Sequence, residues 1–193
     1  MSAPMSHAAV LYAAIAVWSI PELIGGFLQR AEPGATRRDG GSYMVLRIAF
    51  TVGIAGAIIA ARHAPWAAFS AHRNAVFWTG VFLMLAGVAF RWYAIVVLGR
   101  YFTRDVATRE GQRVVEKGPY RWIRHPSYTG TLATTAGFGL ALGNALALAI
   151  VVITVLAGLM YRVAVEERAL ASDLGEPYRA YMLRTRRFLP FLW

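Results

Sequence analysis

The sequence contains no cysteine. Disulfides, thiolate metal sites and a cysteine nucleophile are therefore excluded. Lysine is almost as scarce: of 20 basic residues, Lys117 alone is a lysine and the rest are arginines. Charge as a whole is thin. Only 16% of the 193 residues are charged and 58% are hydrophobic, whereas a soluble domain is roughly one quarter charged. Mean hydropathy is +0.47. This balance reads first as an integral membrane protein. Acidic residues number 10, which leaves a net charge of +10. In a soluble chain such a charge would point to nucleic acid. Here the basic residues lie in loops between apolar runs, where topology and anionic lipid headgroups account for them, and no nucleic-acid partner is expected. No Lys or Arg precedes the first apolar run, which points away from a cleaved signal peptide. There is no internal repeat, no low-complexity segment and no residue set assigned to a metal.

What is present is a series of apolar runs of membrane-spanning length. Residues 8–28 form the first, interrupted by Pro21 and Glu22. Glu22 reads first as a helix-end carboxylate near the interface; a carboxylate inside the bundle is the other reading. Residues 29–42 are a polar loop carrying Arg30, Arg37 and Arg38, and residues 43–61 a second span. In that span Gly53 and Gly56 offer small faces for close helix contact. Residues 62–74 form a short loop whose His63 and His72 read as interfacial. Residues 75–98 are a third span containing Arg91, Trp92 and Tyr93. Arg91 reads first as a snorkelling cation in an aromatic belt. Alternatively the helix continues past it and Arg91 faces a cavity.

The polar stretch 99–126 follows. Residues 127–142 are apolar, rich in Gly and Thr, and short for a span. Gly143-Asn144 marks a turn, and residues 145–164 form a full span whose helix is expected to run on through Leu170 and stop at Leu174-Gly175. Residues 176–187 read as a short amphipathic helix, and 188–193 as an interfacial tail. The expected fold is all-α and polytopic, with about five transmembrane helices. Three N-terminal helices (residues 1–98) precede a core of cofactor loop, helical hairpin and C-terminal helix (residues 99–193). Between Arg91 and Arg124 lie eight basic residues, between Arg162 and Arg187 six, and at the Gly143-Asn144 turn none. The positive-inside rule places the first two segments in the cytoplasm, and the turn and the N-terminus outside.

The longest polar segment ends at Arg124-His125-Pro126-Ser127-Tyr128, and no charged residue follows His125 until Arg162. In an antiparallel hairpin the start of the fourth span lies beside the end of the fifth. His125 and Tyr128 are thus expected near Arg162 and Glu166, which share a helix face at i,i+4. Pro126 suits the first turn of a helix, whose free N–H groups can receive a carboxylate. His125, Tyr120 and Tyr128 add donors, and Glu166 can accept from an amine or a ribose hydroxyl. The set suits a zwitterionic ligand with an aromatic base, a description that S-adenosylmethionine meets along with many other polar ligands.

The run Gly118-Pro119-Tyr120-Arg121-Trp122-Ile123-Arg124-His125-Pro126-Ser127-Tyr128-x-Gly130 resembles the signature of the isoprenylcysteine carboxyl methyltransferase family. Glu166-Glu167-x-x-Leu170, Gly175-x-x-Tyr178-x-x-Tyr181 and Pro190 resemble its C-terminal half. The resemblance covers about residues 102–190, nearly half the chain. It implies S-adenosylmethionine as methyl donor, S-adenosylhomocysteine as product, and a lipophilic acceptor, an isoprenylcysteine-like carboxylate, at the inner face of a bacterial membrane. The implied cofactor residues are Gln112, Arg113, Val114, Val115, Tyr120, His125, Pro126, Ser127, Tyr128 and Glu166, with Arg162 meeting the acceptor. Gln112 stands where the family often has His. Phospholipid amine N-methylation and thiol S-methylation remain open alternatives. A further one is an NADPH-dependent sterol-type reductase, which usually carries Lys-Tyr-Gly where this chain has Asp173-Leu174-Gly175. Oligomeric state is not legible.

Overall fold

A computed structural model describes residues 6–28, 40–102 and 111–189. Among these residues six α-helices follow in order: α1 His7–Leu28, α2 Ser42–His63, α3 Arg73–Leu98, α4 Pro126–Ala141, α5 Ala145–Asp173 and α6 Glu176–Arg184. A short 3-10 turn, Gly118–Arg121, precedes α4. Among the described residues the β-type pairings are two isolated bridges. The chain is thus all-α and polytopic. The loop arginines Arg30, Arg37 and Arg38, residues 103–110 and Pro190 with the rest of the tail lie outside the described residues.

Among the described residues, four helices are long and apolar enough to cross a membrane: α1, α2, α3 and α5. Their outward faces carry large apolar side chains such as Ile20, Ile48, Phe82 and Ile153. Such a surface belongs against lipid rather than water. The fifth expected span, α4, is 16 residues long, and its composition follows from its place. It is sandwiched between α3 and α5, so it meets protein where the others meet lipid. Its hydroxyls are satisfied by its own helix: Thr131 donates to the Ser127 carbonyl, Thr134 to Gly130 and Thr135 to Thr131.

Glycines set how closely α4 is gripped. A Cβ on Gly87 would lie 2.5 Å from the Thr134 nitrogen, and one on Gly130 2.6 Å from the Gly87 carbonyl. One turn pair further on, Gly80 and Gly137 meet in the same way. The two helices therefore touch backbone to backbone over two glycine pairs seven residues apart. On the other side, Gly53 of α2 faces Thr154 of α5 and Gly56 faces Ile150, as their spacing predicted. Gly137→Ala should force α3 and α4 apart and lower stability by about 1–3 kcal/mol, the cost of overpacking a tight core. Thermal unfolding in detergent measures it. An unchanged midpoint would show the crossing to be looser than these distances.

The ends of the bundle sort cleanly. Asn144 caps α5 by accepting from the Ala147 N–H and donates to the Ala64 carbonyl, while Phe69 N–H donates to Gly143. His7 meets Asn74 at 3.0 Å. The start of α1, the α2–α3 connection and the hairpin tip therefore share one end. Ser42, Arg91, His125 and the close of α5 lie at the other.

The C-terminal segment departs from expectation. The amphipathic helix ends at Arg184, not at residue 187, because the next residues leave it to pair in parallel with the loop before α4. Arg124 N–H donates to the Arg186 carbonyl at 2.7 Å and His125 N–H to Arg187 at 3.0 Å. Phe188, expected at the interface, is buried, and its carbonyl accepts from Thr129 at 2.7 Å.

Candidate active site

The clasp just described fixes the polar loop, and a single buried carboxylate locks it. Glu167 accepts from Arg124 Nε at 2.7 Å and from Arg187 Nη2 at 2.9 Å, with His125 Nε2 3.3 Å away. Arg124 also donates to the carbonyls of Met182 and Thr185. Tyr181, from α6, donates to the Tyr120 carbonyl at 2.7 Å. The loop is thereby held from α5, α6 and the tail together.

Above this base opens a cavity of about 1130 Å³. It gathers Gln112, Arg113, Val114, Val115, Tyr120, His125, Ser127, Tyr128, Arg162 and Glu166. Of the residues expected at the site, Pro126 is not in the lining; it opens α4 and is buried there. The ring of His125 stacks on Tyr128, centroids 5.5 Å apart. Tyr128 donates to Glu166 Oε2 at 2.8 Å. Arg162 Nε in turn donates to the Tyr128 oxygen at 3.4 Å, and its Nη1 to Ser42 Oγ at 2.7 Å. Burial, and then the Glu166 charge, push the Tyr120 phenol above the usual tyrosine range, so it stays a neutral donor at physiological pH.

Two residues sit differently from their first reading. Arg91 is not a snorkelling cation at a helix end: α3 continues seven residues beyond it, to Leu98. Its Nε lies 2.5 Å from Glu22 Oε1 and its Nη2 3.2 Å from Oε2, a two-point ion pair between α3 and α1. Glu22 is accordingly a carboxylate inside the bundle, and both groups line the cavity. Arg91 Nη1 also reaches the Ser127 carbonyl and Thr131 Oγ1 of α4. Neither charge is affordable at that depth alone, so each explains the other.

The cavity has a second, apolar arm. It is lined by Ile15 and Trp18 of α1, Leu46, Phe50, Ile54 and Ile58 of α2, Phe138 and Leu159, with the Trp18 ring 6.4 Å from those of Phe50 and Phe138. Reading along α5, Leu159 belongs to the apolar arm, Glu166 to the polar chamber, and Arg162 lies between them. Chemically the site offers polar groups for a charged ligand, an apolar stretch of lining, and a buried guanidinium between them along α5. Sequence reasoning missed Glu167 as a clamp and Ser42, and it placed Glu22 and Arg91 inside the bundle only as second readings. Only the Glu166-Glu167 pair carried a local signal, since adjacent helix positions point about 100° apart.

Comparison with known proteins bears on this geometry. Residues 79–172 match the model of the isoprenylcysteine carboxyl methyltransferase (ICMT) family. The likeness to that family is thereby shown over this segment. Protein-S-isoprenylcysteine O-methyltransferase B of Arabidopsis thaliana is 30% identical over 115 residues, 58% of each chain. The Mus musculus protein-S-isoprenylcysteine O-methyltransferase is 30% identical over 116 residues, 59% of this chain and 41% of that one. The match thus spans between about two fifths and three fifths of the length of these curated relatives. The solved structure of a eukaryotic intramembrane Ras methyltransferase, ICMT, superposes with a TM-score of 0.57 at 23% identity, over 96% of this chain and 65% of that one. That match concerns the fold.

Proposed function

We propose that this chain, whose residues 79–172 carry the ICMT family pattern, is an S-adenosylmethionine-dependent methyltransferase that esterifies the carboxylate of an isoprenylcysteine-like lipid. The observation that carries the reading is the order along α5: apolar arm at Leu159, guanidinium at Arg162, polar chamber at Glu166. A site that joins a charged cofactor to a lipid acceptor needs that order. A pocket for one drug-sized ligand occupies roughly 300–1,000 Å³, so a cavity of about 1130 Å³ has room for both.

The donor set fits the cofactor. Glu166 and the neutral Tyr120 phenol would take its ammonium or ribose hydroxyls, and Gln112, Arg113, Val114 and Val115 would wall it off from solvent, with His125, Ser127 and Tyr128 opposite. Pro126 would act indirectly, by starting α4. When bound, the cofactor supplies a methyl group on a positively charged sulfur and is released as S-adenosylhomocysteine. The residues then have mainly to position and desolvate. Arg162 would orient the acceptor carboxylate, and the α1–α2 arm would hold its tail. A carboxylate is already ionised near neutral pH, so no general base is required. The polar end, richest in arginine, would face the cytoplasm of a bacterial inner membrane.

The test is calorimetry and methyl transfer with the full chain in detergent. S-adenosylhomocysteine should bind and NADPH should not; the reverse overturns the reading in favour of a reductase. Among S-farnesylcysteine, phosphatidylethanolamine and a small thiol, the first should be methylated. Its turnover should be flat between about pH 6 and 8, because the carboxylate is fully ionised throughout that range. An amine or thiol acceptor would give a rate that climbs with pH.

A further inference from the structure

Arg162 is 2% exposed and Ser42 is fully buried, yet they come from opposite halves of the chain, 120 residues apart. A guanidinium held in the interior of a membrane bundle has its direction set by whatever accepts its N–H groups. Here those acceptors include the Ser42 hydroxyl, at 2.7 Å, and the Tyr128 oxygen. Neither belongs to the helix that carries Arg162. Ser42 is the first residue of α2. The same helix supplies one wall of the apolar arm through Leu46, Phe50, Ile54 and Ile58, spaced four, four and four residues apart along one face. Over that stretch α2 is locked against α5, where Gly158 meets Ala49 and Leu46. The register between the tail-lining wall and the arginine is therefore rigid.

We infer that Ser42 is a positioning residue for Arg162. It ties the guanidinium that meets the acceptor's carboxylate to the helix that seats the acceptor's tail. The inference rests on the methyltransferase reading above. Tail binding on α2 is then expressed at the reacting end, as expected when energy from a remote part of a substrate is used for alignment. A shortened tail costs turnover as well as affinity.

The experiment uses the full chain in detergent, with S-farnesylcysteine and the shorter S-geranylcysteine as acceptors. Ser42→Ala should lower kcat/KM for the farnesyl acceptor about tenfold, the loss of one hydrogen bond to a charged group. Affinity for S-adenosylhomocysteine and the unfolding midpoint should be unchanged. Ser42→Thr, which keeps the hydroxyl, should restore most of the activity. In the wild type kcat should fall from farnesyl to geranyl; in Ser42→Ala that difference should shrink. If Ala unfolds the protein, Ser42→Cys keeps the volume with a weaker acceptor and should show the same loss in smaller degree. Wild-type kcat and tail dependence in the folded Ala or Cys variant, while Arg162→Ala is inactive, would overturn the inference and leave the function standing. Full activity in Arg162→Ala would also overturn the inference, because the acceptor's carboxylate would then be held elsewhere; no methylation of S-farnesylcysteine by the wild type would remove the function and the inference with it.

Discussion

Glu167→Ala should unfold the clasp between the loop before α4 and the C-terminal segment and abolish binding of S-adenosylhomocysteine, although Glu167 does not line the cavity. Its carboxylate is buried and meets Arg124, Arg187 and His125 at once. Removing one partner of a buried ion pair leaves the others uncompensated, at a cost of about 3–5 kcal/mol. Arg124 would stay anchored by the Met182 and Thr185 carbonyls, so its charge could not easily swing out to water. The parallel pairing of residues 122–125 with 186–187 would open, and with it the loop that carries Tyr120. Thermal unfolding and calorimetry both read this. Glu167→Gln keeps the shape and one acceptor and should fall between Ala and wild type. The neighbouring Glu166→Gln gives the contrast: near-normal stability, because Glu166 faces the cavity, but weakened ligand affinity. Wild-type stability in Glu167→Ala would mean that the backbone pairing alone holds the loop.

How far the chain could be read before its structure follows from which interactions are local. Apolar runs delimit α1, α2, α3 and α5 because a span must be continuous in sequence. Asn144 and Pro126 mark helix starts through their own side chains. The approach of Tyr128 to Arg162 and Glu166 was legible because a tight hairpin leaves few other arrangements, whereas His125, expected beside the same pair, meets Glu167 at 3.3 Å. The Glu22–Arg91 pair was not. Its members are 69 residues apart, and each alone fits an interfacial position, so only the packing of α1 on α3 distinguishes the two readings. The same holds for Ser42 and Arg162. The early end of α6 was hidden for a related reason: residues 185–187 continue a helical pattern, but the unpaired backbone of residues 122–125 offers hydrogen bonds that another turn of helix would forgo. α4 shows the converse. It read as rich in Gly and Thr and short for a span, and its place between α3 and α5 accounts for both.

Arg162→Ala should lower turnover at least about a hundredfold, by losing two hydrogen bonds to a charged group of roughly 1.5–3 kcal/mol each. Affinity for S-adenosylhomocysteine should stay within about threefold of wild type, because the Tyr128–Glu166 bond at 2.8 Å does not depend on the guanidinium. Arg162→Lys should recover only a small part. An ammonium is a point charge without the planar fork that grips a carboxylate at two oxygens, and it would have to satisfy Ser42 and Tyr128 from a shorter, more mobile stem. The split between the two measurements is what identifies the role. A cofactor-binding arginine would lose affinity for the product nucleoside in step with turnover, and a purely structural one would lose stability as well. Turnover collapsing while product affinity and the unfolding midpoint hold leaves only the acceptor side of the cavity for Arg162 to act on. Retained turnover in the alanine variant would show that the acceptor's carboxylate is held elsewhere, and Arg91, already committed to Glu22, would have to exchange that partner to take its place.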